Sequence, residues 1–410
     1  NGQTNMTPKK MKDHPVNRWL LPDGVQETLP PAAFGVDLLR QKVLQMYHCW
    51  GYDLVMPAMI EFIDSLLTGT AHSLDIKTFS LVDQVTGKQM GVRSDMTPQV
   101  ARIDAHLLAD GDRTDRIERL CYCGHLLHAQ ADGITSSRTP LQIGAEIFGN
   151  TSVTADVEVV SLMIETLHTV GLNDISIDLG HVGIFRNLVS STELDKQQEA
   201  LLFDMLQRKS IPELEVYLAE LDLPEKLRAQ FHHLALLNGD ITILEEARKV
   251  FEGCHEELHQ ALDRMQAVIE ALQGKYPNTL INCDLAELRG YSYHTGLVFA
   301  AFLPGQGKEI ARGGRYDNIG GIFGNARPAT GFSADLLNLQ QLSNTSQLKT
   351  QGILAPNNND PDLSKKIQHL RSEGQRVMID LTDGKSKPAA QQCDRILTRQ
   401  NNGWTISEAS

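Results

Sequence analysis

The feature that most constrains this chain is a block from about Arg186 to Gly274. There the apolar residues recur at helical spacing, and strand-rich stretches lie on both sides. The strands precede, flank and follow helical blocks without strict strand-helix-strand alternation. A doubly wound parallel sheet needs that alternation. The pattern therefore predicts an α+β fold: an antiparallel sheet flanked by helices, with a helical insertion over about 186–275.

The surrounding elements follow from periodicity and punctuation. Trp19 to Val25 reads as a loop. Val36, Leu39, Val43, Met46, Tyr47 and Trp50 mark a helix, closed by Gly51. Tyr52 to Met59 reads as a strand, Glu61 to Leu67 as a short helix, and Thr78–Asp83 with Lys88–Arg93 as a hairpin. A helix is expected over Thr97–Leu108, with Pro98 in its first turn. Ile117–Cys123 and Leu141–Phe148 read as strands, and Ala129–Thr139 as the loop between them. Val157–Val170 reads as a helix, and Ile175, Ile177 and Leu179 as a strand. Beyond the helical block, strands are expected at Leu280–Asp284, Tyr291–Phe302 and Glu309–Ala311, then a helix from Ala334. Ser343–Lys349 is a polar linker, and strand-helix-strand patterning follows. Three regions result: an N-terminal arm over 1–17, in part a tag; a main domain over 18–342; and a small C-terminal α/β domain over 350–410.

Composition narrows the partners. With 410 residues, 41% of them hydrophobic, the chain can build a large core. No run of about 18 apolar residues suggests a membrane span, and the segment after Met6 lacks a secretory pattern. The net charge of -13 argues against a nucleic-acid partner, because a protein gripping a phosphate backbone usually shows a basic face. The longest basic cluster is only Lys9-Lys10-Met11-Lys12. The six cysteines are scattered, and Cys121 and Cys123 are too closely spaced for a zinc knuckle. A cytoplasmic protein without metal or cofactor is expected.

Four segments could carry a site. Asp95 and Thr97, in Arg93-Ser94-Asp95-Met96-Thr97-Pro98-Gln99, could hold an ammonium group or cap the following helix. In Leu141-Gln142-Ile143-Gly144-Ala145-Glu146-Ile147, alternation puts Gln142, Gly144 and Glu146 on one face. Gly144 would leave space there for a small polar ligand, unless that face meets solvent. Arg289-Gly290-Tyr291-Ser292-Tyr293-His294 offers a guanidinium fork for a carboxylate or phosphate. As a strand it would set Arg289, Tyr291 and Tyr293 on one face and His294 on the other. Ala311-Arg312-Gly313-Gly314-Arg315-Tyr316-Asp317 reads as a tight Gly-Gly turn, either a phosphate cradle or a hairpin loop.

Taken in order, these segments resemble the active-site segments of histidyl-tRNA synthetase, over roughly Trp19 to Asp335. Pro57 falls where class II synthetases carry the proline of their dimer-interface motif. Asp95 and Thr97 match residues that contact the amino group of histidine in that family. Gln142 and Glu146 match its Gln and Glu at the same separation. Arg289-Gly290 with Tyr293-His294 resembles its Arg-Gly and Tyr-Tyr segment, and Gly313-Gly314-Arg315-Tyr316-Asp317 its Gly-Gly-Arg-Tyr-Asp segment. The resemblance implies a class II aminoacyl-tRNA synthetase-like fold and a histidine pocket of Asp95, Thr97, Gln142, Glu146, Arg289, Tyr293 and His294.

The departures from that family matter as much. His128 stands where it has an ATP-binding arginine, Gln130 where it has a glutamate, and Asn338 where it has a second arginine. Preorganised cations are typically the largest stabilising term for phosphoryl charge, and losing one group costs on the order of 3 kcal/mol. The resemblance therefore implies no catalytic residues. The tail is also shorter than the family's anticodon-binding domain. Lost ATP contacts, a kept amino-acid pocket and a short tail resemble the regulatory subunits that pair with short-form ATP phosphoribosyltransferase. That group implies a synthetase-like homodimer within a hetero-octamer, activation of the catalytic subunit, and L-histidine as feedback effector. A working synthetase or a histidine sensor with another partner are the alternatives.

Overall fold

The computed structural model describes residues 20–66, 76–108, 116–131, 137–291, 293–322, 326–343, 352–382, 384–385, 387–401 and 403–409. Trp19, the 1–17 arm with its basic cluster, residues 132–136 within the expected loop, most of the polar linker, and Ser292 lie outside these residues. Contacts divide the chain into two units, Asn1–Thr28 with Val36–Asn344, and Leu29–Gly35 with Thr345–Ser410.

In the first unit the strands are β1 (Asp53–Leu54), β2 (Ile60–Phe62), β3 (Phe79–Val82), β4 (Gln89–Val92), β5 (Glu118–His125), β6 (Leu141–Phe148), β7 (Ser176–His181), β8 (Asn238–Gly239), β9 (Leu280–Asp284), β10 (Leu297–Phe302), β11 (Ala311–Arg315) and β12 (Ala329–Asp335). Among the described residues nine of them form one sheet, in the order β1-β5-β6-β12-β11-β10-β7-β9-β8. The run from β5 to β7 is antiparallel throughout. Parallel pairs occur only toward the ends, at β1 with β5 and β7 with β9. A small sheet, β2-β4-β3, carries the expected hairpin.

The helices are α1 (Ala32–Cys49), α2 (Ile63–Leu66), α3 (Thr97–Arg102), α4 (Val153–Thr169), α5 (Val182–Ser190), α6 (Lys196–Gln207), α7 (Ile211–Glu220), α8 (Glu225–Leu236), α9 (Ile243–Val250), α10 (Glu256–Lys275), α11 (Ile319–Ile322) and α12 (Leu336–Leu342). Helices α5 to α10 form the helical block, with only the two-residue β8 among them. One sheet face joins the main core: Leu141, Ile143, Ala145 and Ile147 of β6 cluster with Tyr47 of α1, Leu162 of α4 and Leu262 of α10. The other face has its own cluster, with Tyr122, Phe148 and Tyr316 against Met96 and Val100.

Several elements differ from the sequence expectation. The Gly313-Gly314 pair is no turn. It lies inside β11, where a β carbon on Gly313 would collide with the Gly331 carbonyl and the Phe299 ring. The missing side chains serve close approach between strands. The expected strand at Tyr291 starts only at Leu297, because the preceding residues turn. The Tyr52–Met59 strand shrinks to β1, and β2 takes the start of the expected Glu61 helix. Helix α3 gives way after Arg102 to a π-helical turn, Ile103–Leu107. Strand β12 had no sequence signal, since its small residues have weak strand preference.

The second unit is a four-stranded sheet, β14-β13-β15-β16, built from β13 (Ile353–Ala355), β14 (Val377–Ile379), β15 (Arg395–Gln400) and β16 (Gly403–Glu408). Helix α13 (Pro361–Ser372) packs Leu363, Ile367 and Leu370 against Ile353, Val377 and Leu397. Asp360 caps this helix by accepting from Asp362 N at 2.9 Å, and also accepts from Trp404 Nε1 at 2.9 Å.

One buried carboxylate ties the helical block to the sheet. Asp156, in the first turn of α4, is fully buried. It accepts from Arg315 of β11 at 2.7 Å and from Arg264 of α10 at 2.7 Å. Removing one member of a buried ion pair strands the others without compensation. Asp156→Ala is therefore expected to lower the stability of the first unit by about 3–5 kcal/mol, read as a shift in the urea unfolding midpoint. An unshifted midpoint would contradict this.

Candidate functional site

All eight residues of β6 are buried, so its polar face does not meet solvent. Glu146 lies on that face with 1% of its surface exposed. Tyr122 Oη donates to Glu146 Oε1 at 2.9 Å, and Tyr316 Oη donates to Oε2. Tyr122 Oη also pairs with Thr97 Oγ1 at 3.0 Å. Opposite Glu146 in the sheet is Gly331, where a β carbon would fall on the carboxyl group. A glycine there is the steric condition for seating Glu146. The space expected over Gly144 is filled: an added β carbon would sit 2.6 Å from Tyr122 Oη and 2.5 Å from the Phe332 carbonyl. Gly144 accommodates a tyrosine, and the ligand space lies elsewhere.

That space is a cavity of about 310 Å³, within the usual range for small-molecule sites. Asp95, Thr97, Glu146, Arg289, Tyr293 and His294 line it. Gln142, the remaining sequence candidate, stands behind Asp95. Its Oε1 accepts from Met96 N at 2.9 Å, and its Nε2 donates to Asp95 Oδ1 at 2.9 Å. Asp95 Oδ1 also accepts from Thr97 N at 3.0 Å at the start of α3. Helix-start bonding and a cavity-lining position thus coexist at Asp95.

The segment at 289–294 reaches the cavity through a turn. Gly290 has a φ of 72°, and both Tyr293 N and His294 N donate back to its carbonyl, at 2.8 and 2.7 Å. This brings His294 to the same cavity as Arg289 and Tyr293, where strand alternation would set it on the opposite face. Arg289 is held by Glu309 at 2.9 Å and lies 3.5 Å from Glu287. Arg312, also lining, pairs with Glu309 at 3.2 Å. Tyr293 stacks on Tyr316 with centroids 5.1 Å apart. Its Oη is buried and has no hydrogen-bond partner among the described residues.

Sequence reasoning missed Tyr122 and the role of Tyr316. The register held a signal, because Tyr122 pairs with Gly144 across β5 and β6. Cys121 and Cys123, which drew attention instead, are thiols pushed up to about 12, mainly by burial. No cluster of three or more His, Cys, Asp or Glu side chains suited to a metal occurs among the described residues. His128 and Asn338, the two positions at which the resemblance implies lost ATP-binding arginines, lie outside the cavity lining. The His128 ring bonds the Ser94 carbonyl at 2.9 Å, and Asn338 is exposed on α12.

Burial pushes the Glu146 carboxyl up to about 8, against the lowering effect of its tyrosine partners. Burial also pushes the His294 imidazole down to about 4, so it is neutral at pH 7. Glu146 has a folded pKa above its ordinary value of 4.5, so the folded state holds its proton more tightly. Its contribution to stability is complete below about 4.5 and is lost as pH rises toward 8. The difference in urea midpoint between wild type and Glu146→Gln should therefore shift with pH across this window and level off above it. A difference independent of pH would refute the assignment.

Comparison with known proteins places this geometry. Residues 24–339 match the family model for histidyl-tRNA synthetase. Residues 350–407 match the model for the ATP phosphoribosyltransferase subunit HisZ C-terminal domain. A protein of Thioalkalivibrio sulfidiphilus named ATP phosphoribosyltransferase regulatory subunit is 49% identical over 394 residues, covering 96% of this chain and 99% of the relative. One of Alkalilimnicola ehrlichii with the same name is 49% identical, covering 95% and 97%. The solved structure of an ATP phosphoribosyltransferase regulatory subunit/histidyl-tRNA synthetase from Bacillus halodurans superposes with a TM-score of 0.80 at 26% identity, over 91% of this chain and 95% of that one. Histidyl-tRNA synthetase from Nostoc sp. PCC 7120 shares the fold, with a TM-score of 0.78 at 17% identity over 95% and 94%. A synthetase-like unit followed by that C-terminal unit, with near full-length identity of this order, makes the chain a member of the ATP phosphoribosyltransferase regulatory subunit family.

Proposed function

We propose that the cavity binds L-histidine and that the chain relays its occupancy to a short-form ATP phosphoribosyltransferase catalytic subunit, in the first step of histidine biosynthesis. The observation that carries this reading is the buried Tyr293 hydroxyl, which has no hydrogen-bond partner among the described residues. Tyr293, Glu146 and Asp95 all line the same cavity. Buried polar groups are rarely left unpaired, so a ligand group is the natural partner. Asp95 and Thr97 would hold the ammonium group, with Gln142 orienting Asp95. Arg289 would meet the carboxylate. Glu146 with Tyr293 or His294 would read the imidazole, whose two nitrogens offer one donor and one acceptor when neutral.

The charge balance favours binding over nucleotide chemistry. Of the cavity-lining cations, Arg289 and Arg312 are both paired with Glu309, and Lys77 also lines the cavity. Adenylation would need cations aimed at the α-phosphate. Homodimerisation through the first unit is supported by exposed apolar side chains around β1 and β2: Leu54, Met56, Met59, Ile60 and Phe62. A cytoplasmic hetero-octamer with the catalytic subunit completes the reading. Among the described residues no helix is long and apolar enough to cross a membrane.

Histidine must favour one assembly state over the other in order to inhibit. A coupling of about 1–3 kcal/mol would be ordinary. Asp95→Ala and Glu146→Ala are each expected to weaken histidine binding about tenfold or more in calorimetry, the scale of one lost buried hydrogen-bonded contact. Unchanged affinity in both would refute the pocket assignment. Mixed with a short-form catalytic subunit, the chain should raise phosphoribosyl-ATP formation, and added histidine should suppress it. Histidine-dependent exchange of pyrophosphate into ATP by the chain alone would favour a working synthetase instead.

A further inference from the structure

The turn that lines the cavity has a second side. Arg289, Gly290, Tyr293 and His294 face the cavity, whereas Tyr291 points into the helical block. Its ring lies 5.2 Å from Phe185 of α5 and 5.4 Å from Phe203 of α6, centroid to centroid. Phe185 in turn packs on Phe231 of α8. The Arg186 guanidinium sits 5.0 Å above the Tyr291 ring. Its Nη2 donates to the carbonyls of Tyr291 and His294, each at 3.1 Å. The Tyr291 hydroxyl donates to Glu199 of α6 at 2.7 Å.

We infer that Tyr291 is a positioning residue: bonded to Glu199 and seated among Phe185, Phe203 and Arg186, it couples the cavity turn to the helical block. The argument is geometric. Residues 285–291 and 293–296 form no strand or helix, and isolated backbone bonds, such as those from Tyr293 N and His294 N to the Gly290 carbonyl, hold their shape in place of a ladder. Tyr291 lies two residues from Tyr293 and three from His294. A shift that seats those two on a ligand moves the Tyr291 backbone as well. The Tyr291 ring cannot follow without disturbing α5 and α6. The bond to Glu199 is charge-assisted and partly buried, so it resists that shift more than a neutral contact would. Coupling is reciprocal, so a change on α6 must also alter the cavity turn. The helical block is then the part of the chain that senses occupancy. The identity of the ligand as histidine rests on the reading above; the coupling does not.

Hydrogen exchange on the full-length chain tests this, with wild type, Tyr291→Phe, Glu199→Ala and Glu199→Gln. Without ligand, Tyr291→Phe and Glu199→Ala should exchange about fivefold faster across residues 286–296. Glu199→Gln, whose amide oxygen can still accept the tyrosine proton, should stay near wild type. With L-histidine, the wild type should slow exchange both across 286–296 and in α6. In Tyr291→Phe and Glu199→Ala the slowing should be confined to 286–296, a split that general loosening would not produce. Unchanged ligand-free exchange in Glu199→Ala, or α6 slowing that survives in it, would overturn the inference. If histidine alters no exchange in the wild type, the histidine reading fails, and the ligand-free comparison still decides the coupling.

Discussion

The site is organised around one carboxyl group that has been taken out of water. Glu146 sits on β6, buried beside Gly331 of the neighbouring strand β12, and its two oxygens are engaged by the hydroxyls of Tyr122 and Tyr316. Removing a carboxyl group from solvent is costly unless it is hydrogen-bonded or neutralised. Here both devices operate. Three strands serve this one group: β5 supplies Tyr122, the residue after β11 supplies Tyr316, and β12 withdraws a side chain at Gly331. Thr97 extends the chain of hydroxyls to the start of α3. Much of the architecture of this sheet face can be read as the means of seating Glu146.

The fold and the site were legible in the sequence to different degrees. The helical block stood out because its apolar spacing persists over six helices. Strand β6 stood out because alternation and a run of buried apolar residues agree there. Strand β12 was invisible, since Ala329, Gly331, Ser333 and Ala334 favour strands weakly and leave Thr330 and Phe332 as its strand-favouring residues. Its place comes from neighbours that need small residues beside them. The same physics misled the reading of Gly313-Gly314: locally a glycine pair looks like a turn, and only the packed sheet reveals the need for close approach. Tyr122 was missed because pairing across strands depends on register, which no local window contains.

The cavity-lining cations give the site its chemical character. Arg289 and Arg312 share Glu309, and Glu287 lies 3.5 Å from Arg289, so two carboxylates face these two cations within the protein. A zwitterion brings its own balanced charges and fits such surroundings. A polyphosphate would require cations held in reserve.

Gln142 has a consequence of its own. An amide side chain can present either end to a neighbour, and the two ends have opposite polarity. Here the backbone N–H of Met96 claims the oxygen, so the amide nitrogen must face Asp95. The main chain at the mouth of α3 thereby dictates the polarity of a contact one layer deeper. A glutamate in place of Gln142 would keep the first contact and turn the second into a clash of like charges, so this position distinguishes two residues of nearly identical shape.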